Sequence, residues 1–387
     1  MKSSKRAATS ANAAERSVQI DDIVAGNKHA TDDEDGTPPV MPTLTPRLVI
    51  NALLGIALAA VLIGALPWFT KTTWGEIGHH LSLVGPQATL ECMGIMLLGL
   101  AVYTFTLSAA LPGLSHLRAS IINVSGSAVS NILPGGGAVG MASTYMMLRS
   151  WGFARRNIST GLIVSGIWNV LFRVGLPLIG IAAVSRSTDT LPSIVRRGAW
   201  WGGVIGLLLL IGFVVALIRP TWTAWLGEQL DQRVGPLVGR MRRGANKGKP
   251  YNLKHLLLDQ RARISTVTKH GWFPMSFGVI GQLALWFLLF WRVMAAVHVD
   301  LPVADLFAAY AIGRLMTAIP FTPGGLGFTE ASTVVILVFW GANPAAAGAG
   351  VVVFAIFTHI AEIPIGALGW LAWWAMPKVG VTAKASG

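Results

Sequence analysis

Long apolar stretches alternate along this chain with short polar turns and clusters of basic residues. A helix needs about 20 mainly apolar residues to cross the hydrocarbon core of a bilayer. The stretches that approach or exceed this length are residues 48–69, 88–111, 158–184, 199–218, 273–297 and 345–376. The pattern therefore predicts an all-α protein, a polytopic bundle of membrane helices.

Two shorter apolar segments, one in each half of the chain, are interrupted by proline and glycine. The first interruption reads NILPGGGAVG (residues 131–140) and the second reads AIPFTPGGLGFTE (residues 318–330). Proline removes a backbone donor and glycine removes side-chain restraint, so each run should end one helix and let another begin. We predict a re-entrant, broken-helix hairpin at each interruption. The residues of these runs that we expect to contact substrate are Pro134, Gly135, Gly136, Pro323, Gly324, Gly325 and Gly327.

A helix that restarts inside a membrane directs its free N–H groups and the positive end of its dipole at whatever occupies the adjacent cavity. An anion suits that position. Interrupted segments in corresponding places of two halves are also the best sequence indication of a transporter site near the bilayer midplane. Basic flanks place the first hairpin's entry at the cytoplasmic face, and the count of spans places the second at the outer face, so the halves are predicted to be inverted repeats.

The composition agrees with a membrane protein. Hydrophobic residues make up 53% of the chain, charged residues make up 12% and the mean hydropathy is +0.59, whereas soluble domains carry about 25% charged residues. The formal net charge is +13, but the basic residues flank apolar spans, which favours anionic phospholipid over nucleic acid as the partner. The single cysteine, Cys92, excludes a disulfide framework.

Charge and composition divide the chain into predicted segments. Residues 1–44 form a disordered tail, because they lack apolar periodicity and carry an acidic run. Between Arg219 and Lys269 there are 11 lysines and arginines, a bias that places this loop in the cytoplasm, where helical spacing of its apolar residues predicts an amphipathic helix on the membrane surface. The predicted segments are the tail 1–44, the first transmembrane half 45–218, the basic loop 219–271, the second transmembrane half 272–377 and the tail 378–387. Both termini are predicted to be cytoplasmic in a multi-pass protein of the cell membrane.

Ionisable residues inside spans are the next candidates, because each costs about 2.5 to 3.5 kcal/mol on insertion scales. Glu330 lies in the first turn of the restarted helix, where it either serves function or only stabilises that helix end. Arg314 precedes the same break and either reaches an anionic headgroup or pairs with Glu330 or Glu362. Arg173, in the first half, is either its counterpart or the partner of Glu91.

His359 and Glu362 are spaced to share a helix face, which makes them candidates for a proton or charge relay. We predict no metal site and no cofactor. One such pair holds too few ligands for a metal, and Glu76, His79 and His80 lack a zinc pattern. The letters G-x-G-x-x-G at residues 135–140 lack the strand of a dinucleotide site, and no GxxxxGK[ST] loop is present for ATP.

The motifs PFTPGGLGFTE and NILPGGG, with the spacing of the spans, resemble the flippase-like transmembrane domain of lysylphosphatidylglycerol synthases over about residues 46–376. Pro323, Gly324, Gly325, Gly327 and Glu330 match the second family motif, and Pro134 and Gly135 match the first. The chain departs from the family at Val139, Gly140 and Met141, where many relatives place an acidic residue, and near Thr358 and His359, where relatives often carry arginine. No aminoacyl-transferring domain follows Met376, so we expect no synthase activity.

The resemblance implies an integral membrane flippase that moves an anionic or modified phospholipid, or a lipid-linked sugar, between leaflets. Such a protein is not an enzyme, and a separate lipid-modifying or glycosyltransferase partner would supply its substrate. A membrane-embedded glycosyltransferase that uses polyprenyl-phosphate sugars is one alternative, although only Glu76 offers a carboxylate in the early outer loop. An ion-coupled solute carrier is another alternative, since it shares the broken-helix architecture.

Overall fold

The computed structural model describes residues 73–133, 136–184, 253–317 and 327–378, together with isolated residues between 61 and 229. These parts are helical and contain no strand. Among them, four helices are long and apolar enough to cross a membrane: Pro86–Ala110, Arg155–Gly180, Asp259–Ala296 and Pro344–Ala375. The predicted all-α membrane bundle is thereby confirmed. Most of the predicted spans 48–69 and 199–218, most of the amphipathic part of the basic loop, the tail 1–44 and all of the tail 378–387 except Lys378 lie outside the described residues.

The helices are numbered here in chain order. They are α1 (Trp74–Ser82), α2 (Pro86–Ala110), α3 (His116–Ile132), α4 (Gly136–Ser150), α5 (Arg155–Val184), α6 (Leu253–Ala296), α7 (Val303–Met316), α8 (Phe328–Phe339), α9 (Pro344–Ala355) and α10 (Glu362–Ala375). A π-helical turn, Ile356–Ile360, joins α9 to α10.

The predicted spans that fall within the described residues agree with α2, α5 and the α9–α10 pair to within a few residues. The helix α6 differs, because it begins at Leu253, well before the predicted start at residue 273. The predicted boundary between residues 271 and 272 therefore lies inside a continuous helix. Asp259 and Arg263 lie one turn apart in this polar extension and form an ion pair at 3.2 Å. Such a pair stabilises the helix there.

Small residues bring the long helices close together, as is common where helices associate within a membrane. On α6, a Cβ atom at Gly278 would lie 2.3 Å from the Thr106 hydroxyl oxygen of α2. On α10, a Cβ atom at Gly366 would lie 2.2 Å from the Ala128 Cβ of α3. The Thr106 hydroxyl also donates to the Met275 carbonyl at 2.9 Å. These contacts fix α2 against α6 and α3 against α10.

The last span changes its packing partners at its centre. Its first part, α9, packs on α6, where Gly350 faces the sulfur of Met294, and on α1, where Gly348 faces Ile77. Its second part, α10, packs along α3. Between them, the Ala361 N–H donates to the Ile356 carbonyl at 2.8 Å, the wider spacing of a π turn. Such turns occur often at functional sites.

Two pairs of short helices occupy the places of the predicted hairpins. The helices α3 and α4 pack side by side, as do α7 and α8. At 1.5 Å per residue, the 17 residues of α3 span about 25 Å and the 14 residues of α7 about 21 Å, less than the hydrocarbon thickness of about 30 Å. These lengths suit re-entrant hairpins and inverted repeats, which both stay predictions.

The short helix α1 was not predicted, although its start carries a recognisable signal. Thr73 and Glu76 cap each other: the Glu76 carboxylate accepts from the Thr73 N–H at 2.8 Å, and the Thr73 hydroxyl accepts from the Glu76 N–H at 3.2 Å. This is the capping box expected of the sequence Thr-x-x-Glu. Ile77, at the next position, is buried and packs against α9. Glu76 is therefore engaged in helix capping.

Candidate functional site

A cavity of about 620 Å³ lies inside the bundle, between the first hairpin and the helices of the second half. Its walls come from α2, α3, α4, α5, α6 and α7, from the π turn and from the start of α10. Hydroxyl, amide and charged side chains face it from several of these elements, whereas the largest cluster of buried residues in the bundle is hydrophobic. A polar cavity of this kind is the default location for a binding site.

Two stripes of polar residues supply much of this lining. On α3, Asn123, Ser127 and Asn131 follow one another at intervals of four residues and all line the cavity. On α5, Ser165, Asn169 and Arg173 do the same. Residues at this spacing share one face of a helix. Sequence reasoning singled out only Arg173 among these six residues, although the four-residue spacing of polar side chains in apolar segments was a readable signal.

Glu362 joins the first hairpin to the last span. Its side chain is buried, with 2% of the residue exposed, and its Oε2 atom accepts hydrogen bonds from the Ser127 hydroxyl and, at 3.1 Å, from the Asn131 amide. The same Asn131 amide donates to the carbonyl oxygen of His359 at 3.3 Å. Asn131 therefore bridges the carboxylate of α10 and the backbone of the π turn.

His359 also lines the cavity, from within the π turn. It is buried, and its Nδ1 atom lies 3.0 Å from the hydroxyl of Thr358, which in turn donates to the Phe354 carbonyl at 2.9 Å. The structure thus brings His359 and Glu362 to the same cavity. Their role as a proton or charge relay stays a prediction.

Arg314 extends from α7 into an aromatic environment. The residue is 6% exposed, and its Cζ atom lies 5.3 Å from the ring centroid of Trp286, 5.8 Å from that of Tyr310 and 5.3 Å from that of Phe354. Cation–π attraction of this kind stabilises a guanidinium in place of a carboxylate partner. Glu330 and Glu362 interact with Arg314 electrostatically.

Arg173 reaches the same region from α5. Its Nη1 atom donates to the Thr317 hydroxyl at 3.1 Å, and that hydroxyl donates to the Arg314 carbonyl at 2.6 Å. Glu91, the alternative partner of Arg173, instead pairs with Arg292, whose Nε atom lies 2.5 Å from the Glu91 Oε2 atom in a contact between α2 and α6. The two cavity arginines are therefore neighbours.

Glu330 occupies a different place. It is buried at the start of α8, where its Oε2 atom accepts from the Gly327 N–H at 2.5 Å. Gly327 has a φ of 89°, a conformation that favours glycine. This arrangement matches the helix-stabilising interpretation of Glu330, which does not line the cavity.

The glycine breaks are only partly described. Gly136 and Gly137, at the start of α4, line the cavity. The remaining predicted positions lie outside the described residues, namely Pro134, Gly135, Pro323, Gly324 and Gly325. The predicted site residues that the structure brings together in one cavity are therefore Gly136, Arg173, Arg314, His359 and Glu362.

The cavity opens at the side of the bundle between α4 and α5. Met141 and Val170 line it while being 54% and 50% exposed, respectively. Gly137 and Gly166 lie beside them, are exposed and line the cavity too, and a Cβ atom at either would meet no other atom within 4 Å. Among the described residues, this flank of the cavity is therefore uncovered.

The described residues contain no group of three or more histidine, cysteine, aspartate or glutamate side chains that could hold a metal ion. Comparison with protein families gives a clear match: the profile of the lysylphosphatidylglycerol synthase TM region covers residues 52–366. The chain belongs to this family. No curated protein matches it.

The part of the chain that matches the lysylphosphatidylglycerol synthase TM region includes the whole lining of the cavity. The matched residues include every cavity side chain from Leu100 to Glu362. The predicted family assignment is confirmed, and with it the prediction of a multi-span membrane protein.

Proposed function

We propose that this protein is a lipid flippase, which moves an anionic or modified phospholipid, or a lipid-linked sugar, between the two leaflets of the cell membrane. The observation that carries the proposal is a polar cavity inside a bundle of membrane helices, with exposed lining residues on one flank. A soluble solute needs only a polar path between the two aqueous faces. A lipid also needs a lateral opening, because its acyl chains must stay in the bilayer while its headgroup crosses.

The cavity suits the headgroup part of this task. A polar group that enters hydrocarbon loses its hydrogen bonds to water, at a cost of several kcal/mol. The stripes on α3 and α5 offer hydroxyl and amide groups that replace those bonds. The acyl chains would leave through the opening beside Gly137, Met141, Gly166 and Val170.

The partners and orientation belong to the same proposal. Membrane lipids, mainly anionic ones, are the proposed partners, and both termini are placed in the cytoplasm. The role is transport and not catalysis, so a separate enzyme would make or modify the lipid.

A test should block the opening without disturbing the fold. Gly166→Leu adds a bulky side chain where a Cβ atom has open space, and leucine favours helix formation over glycine. The matched control is Gly94→Leu, on α2, which also has open space but lies outside the cavity. In proteoliposomes carrying a fluorescent phospholipid, translocation can be followed by chemical quenching of the outer leaflet.

We expect the wild type and Gly94→Leu to accelerate translocation over empty vesicles, and Gly166→Leu to slow it at least several-fold. Equal rates for wild-type vesicles and empty vesicles would contradict the proposed function. Equal rates for both variants would contradict the assignment of this opening. Transfer of labelled sugar by the purified chain would favour the glycosyltransferase alternative.

A further inference from the structure

The end of the cavity between α5 and α7 holds two guanidinium groups, each with a hydrogen-bond donor that is not satisfied. The Nε atom of Arg173 and the Nη2 atom of Arg314 are both buried and have no hydrogen-bond partner among the described residues. Both residues line the cavity. Native proteins leave few buried donors unsatisfied, and a charged group in this state is especially costly. A bound ligand that accepts hydrogen bonds would satisfy both donors.

We infer that Arg173 and Arg314 form a subsite for a tetrahedral oxyanion, of which a phosphate diester is the lipid form. The oxyanion subsite itself does not depend on the proposed function. The identification of the oxyanion as the phosphate of a lipid does rest on it. The guanidinium groups offer donors and no acceptors, in a planar fork that matches the oxygen atoms of a phosphate. The subsite therefore favours an anion and disfavours a cationic group.

The two nearby carboxylates, Glu330 and Glu362, attract Arg314 electrostatically, but the hydrogen bonds that they accept come from other groups. The Oε2 atom of Glu362 accepts from Ser127 and Asn131, and the Oε2 atom of Glu330 accepts from the Gly327 N–H. The positive charges of Arg173 and Arg314 repel each other, which opposes the attraction of Arg314 to the carboxylates. Two like charges that share a site of low polarity favour the binding of a counter-ion between them.

The aromatic rings around Arg314 keep its donors available. The faces of Trp286, Tyr310 and Phe354 attract the guanidinium by cation–π contact, and such contacts make no use of conventional acceptor atoms. Arg314 is thereby held in position while its Nη2 group stays available to bind an anion. The rings fix the arginine, and the ligand supplies the hydrogen-bond acceptors.

Thr317 is the positioning residue of this subsite. Its hydroxyl donates to the Arg314 carbonyl and accepts from the Arg173 Nη1 atom. The hydroxyl hydrogen of Thr317 is used in the bond to Arg314, so its oxygen can only accept from Arg173. Thr317 therefore orients Arg173 and connects it to the end of α7. The remaining volume of the cavity extends toward Asn131 and Glu362, where the rest of a headgroup would lie.

The experiment measures binding to the full-length protein in detergent with three probes. They are a short-chain phosphatidylglycerol, the corresponding short-chain diacylglycerol without phosphate, and inorganic phosphate. We expect the phospholipid to bind at least about tenfold more tightly than the diacylglycerol. Arg173→Gln and Arg314→Gln should each weaken phospholipid binding by about tenfold or more, the usual effect of losing a charged hydrogen bond. The matched control, Arg292→Gln, removes an arginine that pairs with Glu91 outside the cavity and should leave binding unchanged.

Two further variants keep the test decisive if Arg314→Gln does not fold. Arg173→Lys retains the charge and should recover part of the affinity. Thr317→Val should weaken phospholipid binding several-fold without altering diacylglycerol binding. Equal affinity for phospholipid and diacylglycerol would overturn the subsite, as would arginine variants that behave like Arg292→Gln. Arginine-dependent binding of inorganic phosphate without binding of phospholipid would support the subsite and overturn the flippase proposal.

Discussion

Replacing Asn131 with alanine removes the side chain that joins the first hairpin to the last span. Its amide donates to the Glu362 carboxylate at 3.1 Å and to the His359 carbonyl at 3.3 Å. Loss of a donor to a buried acceptor costs about 1 to 3 kcal/mol, whereas hydrogen bonds between membrane helices average about 0.6 kcal/mol. Since Ser127 still donates to Glu362, we expect Asn131→Ala to destabilise the protein by about 1 to 2 kcal/mol.

Thermal unfolding of the purified protein in detergent, followed by tryptophan fluorescence, measures this effect. The matched control is Ser120→Ala, also on α3, because the Ser120 hydroxyl donates only to the His116 carbonyl of its own helix. We expect Asn131→Ala to lower the unfolding midpoint by about 2 °C or more and Ser120→Ala to leave it nearly unchanged.

A double-mutant cycle with Glu362→Met isolates the contact itself, because methionine keeps the length of the side chain and removes the acceptor. We expect a coupling free energy of about 0.5 kcal/mol or more between Asn131 and Glu362. Additive effects of the two substitutions, or an Asn131→Ala midpoint equal to that of Ser120→Ala, would refute the reasoning.

Three further predictions concern the packing of the bundle. Gly366→Ala should destabilise the protein by about 1 to 3 kcal/mol in the same assay, because the added Cβ atom would lie 2.2 Å from α3, whereas Gly94→Ala, in open space, should not. Thr106→Val should cost about 0.6 to 2 kcal/mol by removing the hydrogen bond to the Met275 carbonyl, and an unchanged midpoint would contradict this. Cys92 is buried, so a maleimide should label it slowly in the folded protein and rapidly after unfolding; rapid labelling of the folded protein would show that α2 is not packed as described.

The lengths of the spans were predictable because the cost of exposing polar backbone to hydrocarbon forces long apolar helices. The start of α6 could not be predicted from the length of its apolar stretch. Its first part, from Leu253 to Lys269, carries many basic and polar residues, so the hydropathy pattern does not indicate where the helix begins. The helix continues through Pro274, although a proline there lacks the usual hydrogen-bond donor.

The charged residues of the cavity were predictable because ionisable groups are rare within spans. This reasoning identified Arg173, Arg314 and Glu362, but it could not tell which carboxylate faces the cavity. Glu330 lies next to a glycine break in the sequence, yet its carboxylate turns back to the N–H group of Gly327. Asn131 was visible in the first motif, but its contacts with Glu362 depend on the packing of α3 against α10, which no local pattern encodes.

The cavity contacts described above connect the two halves of the chain. Arg173 of the first half is held by Thr317 of the second, and Glu362 of the second half is held by Ser127 and Asn131 of the first. Any movement of one half relative to the other must therefore break or exchange these hydrogen bonds. Each contributes only about 1 kcal/mol net, because water or another polar group can replace the lost partner. In the proposed mechanism, a headgroup that offers acceptors to Arg173 and donors to Glu362 would supply such a replacement, and its presence in the cavity would lower the energy needed to separate the halves.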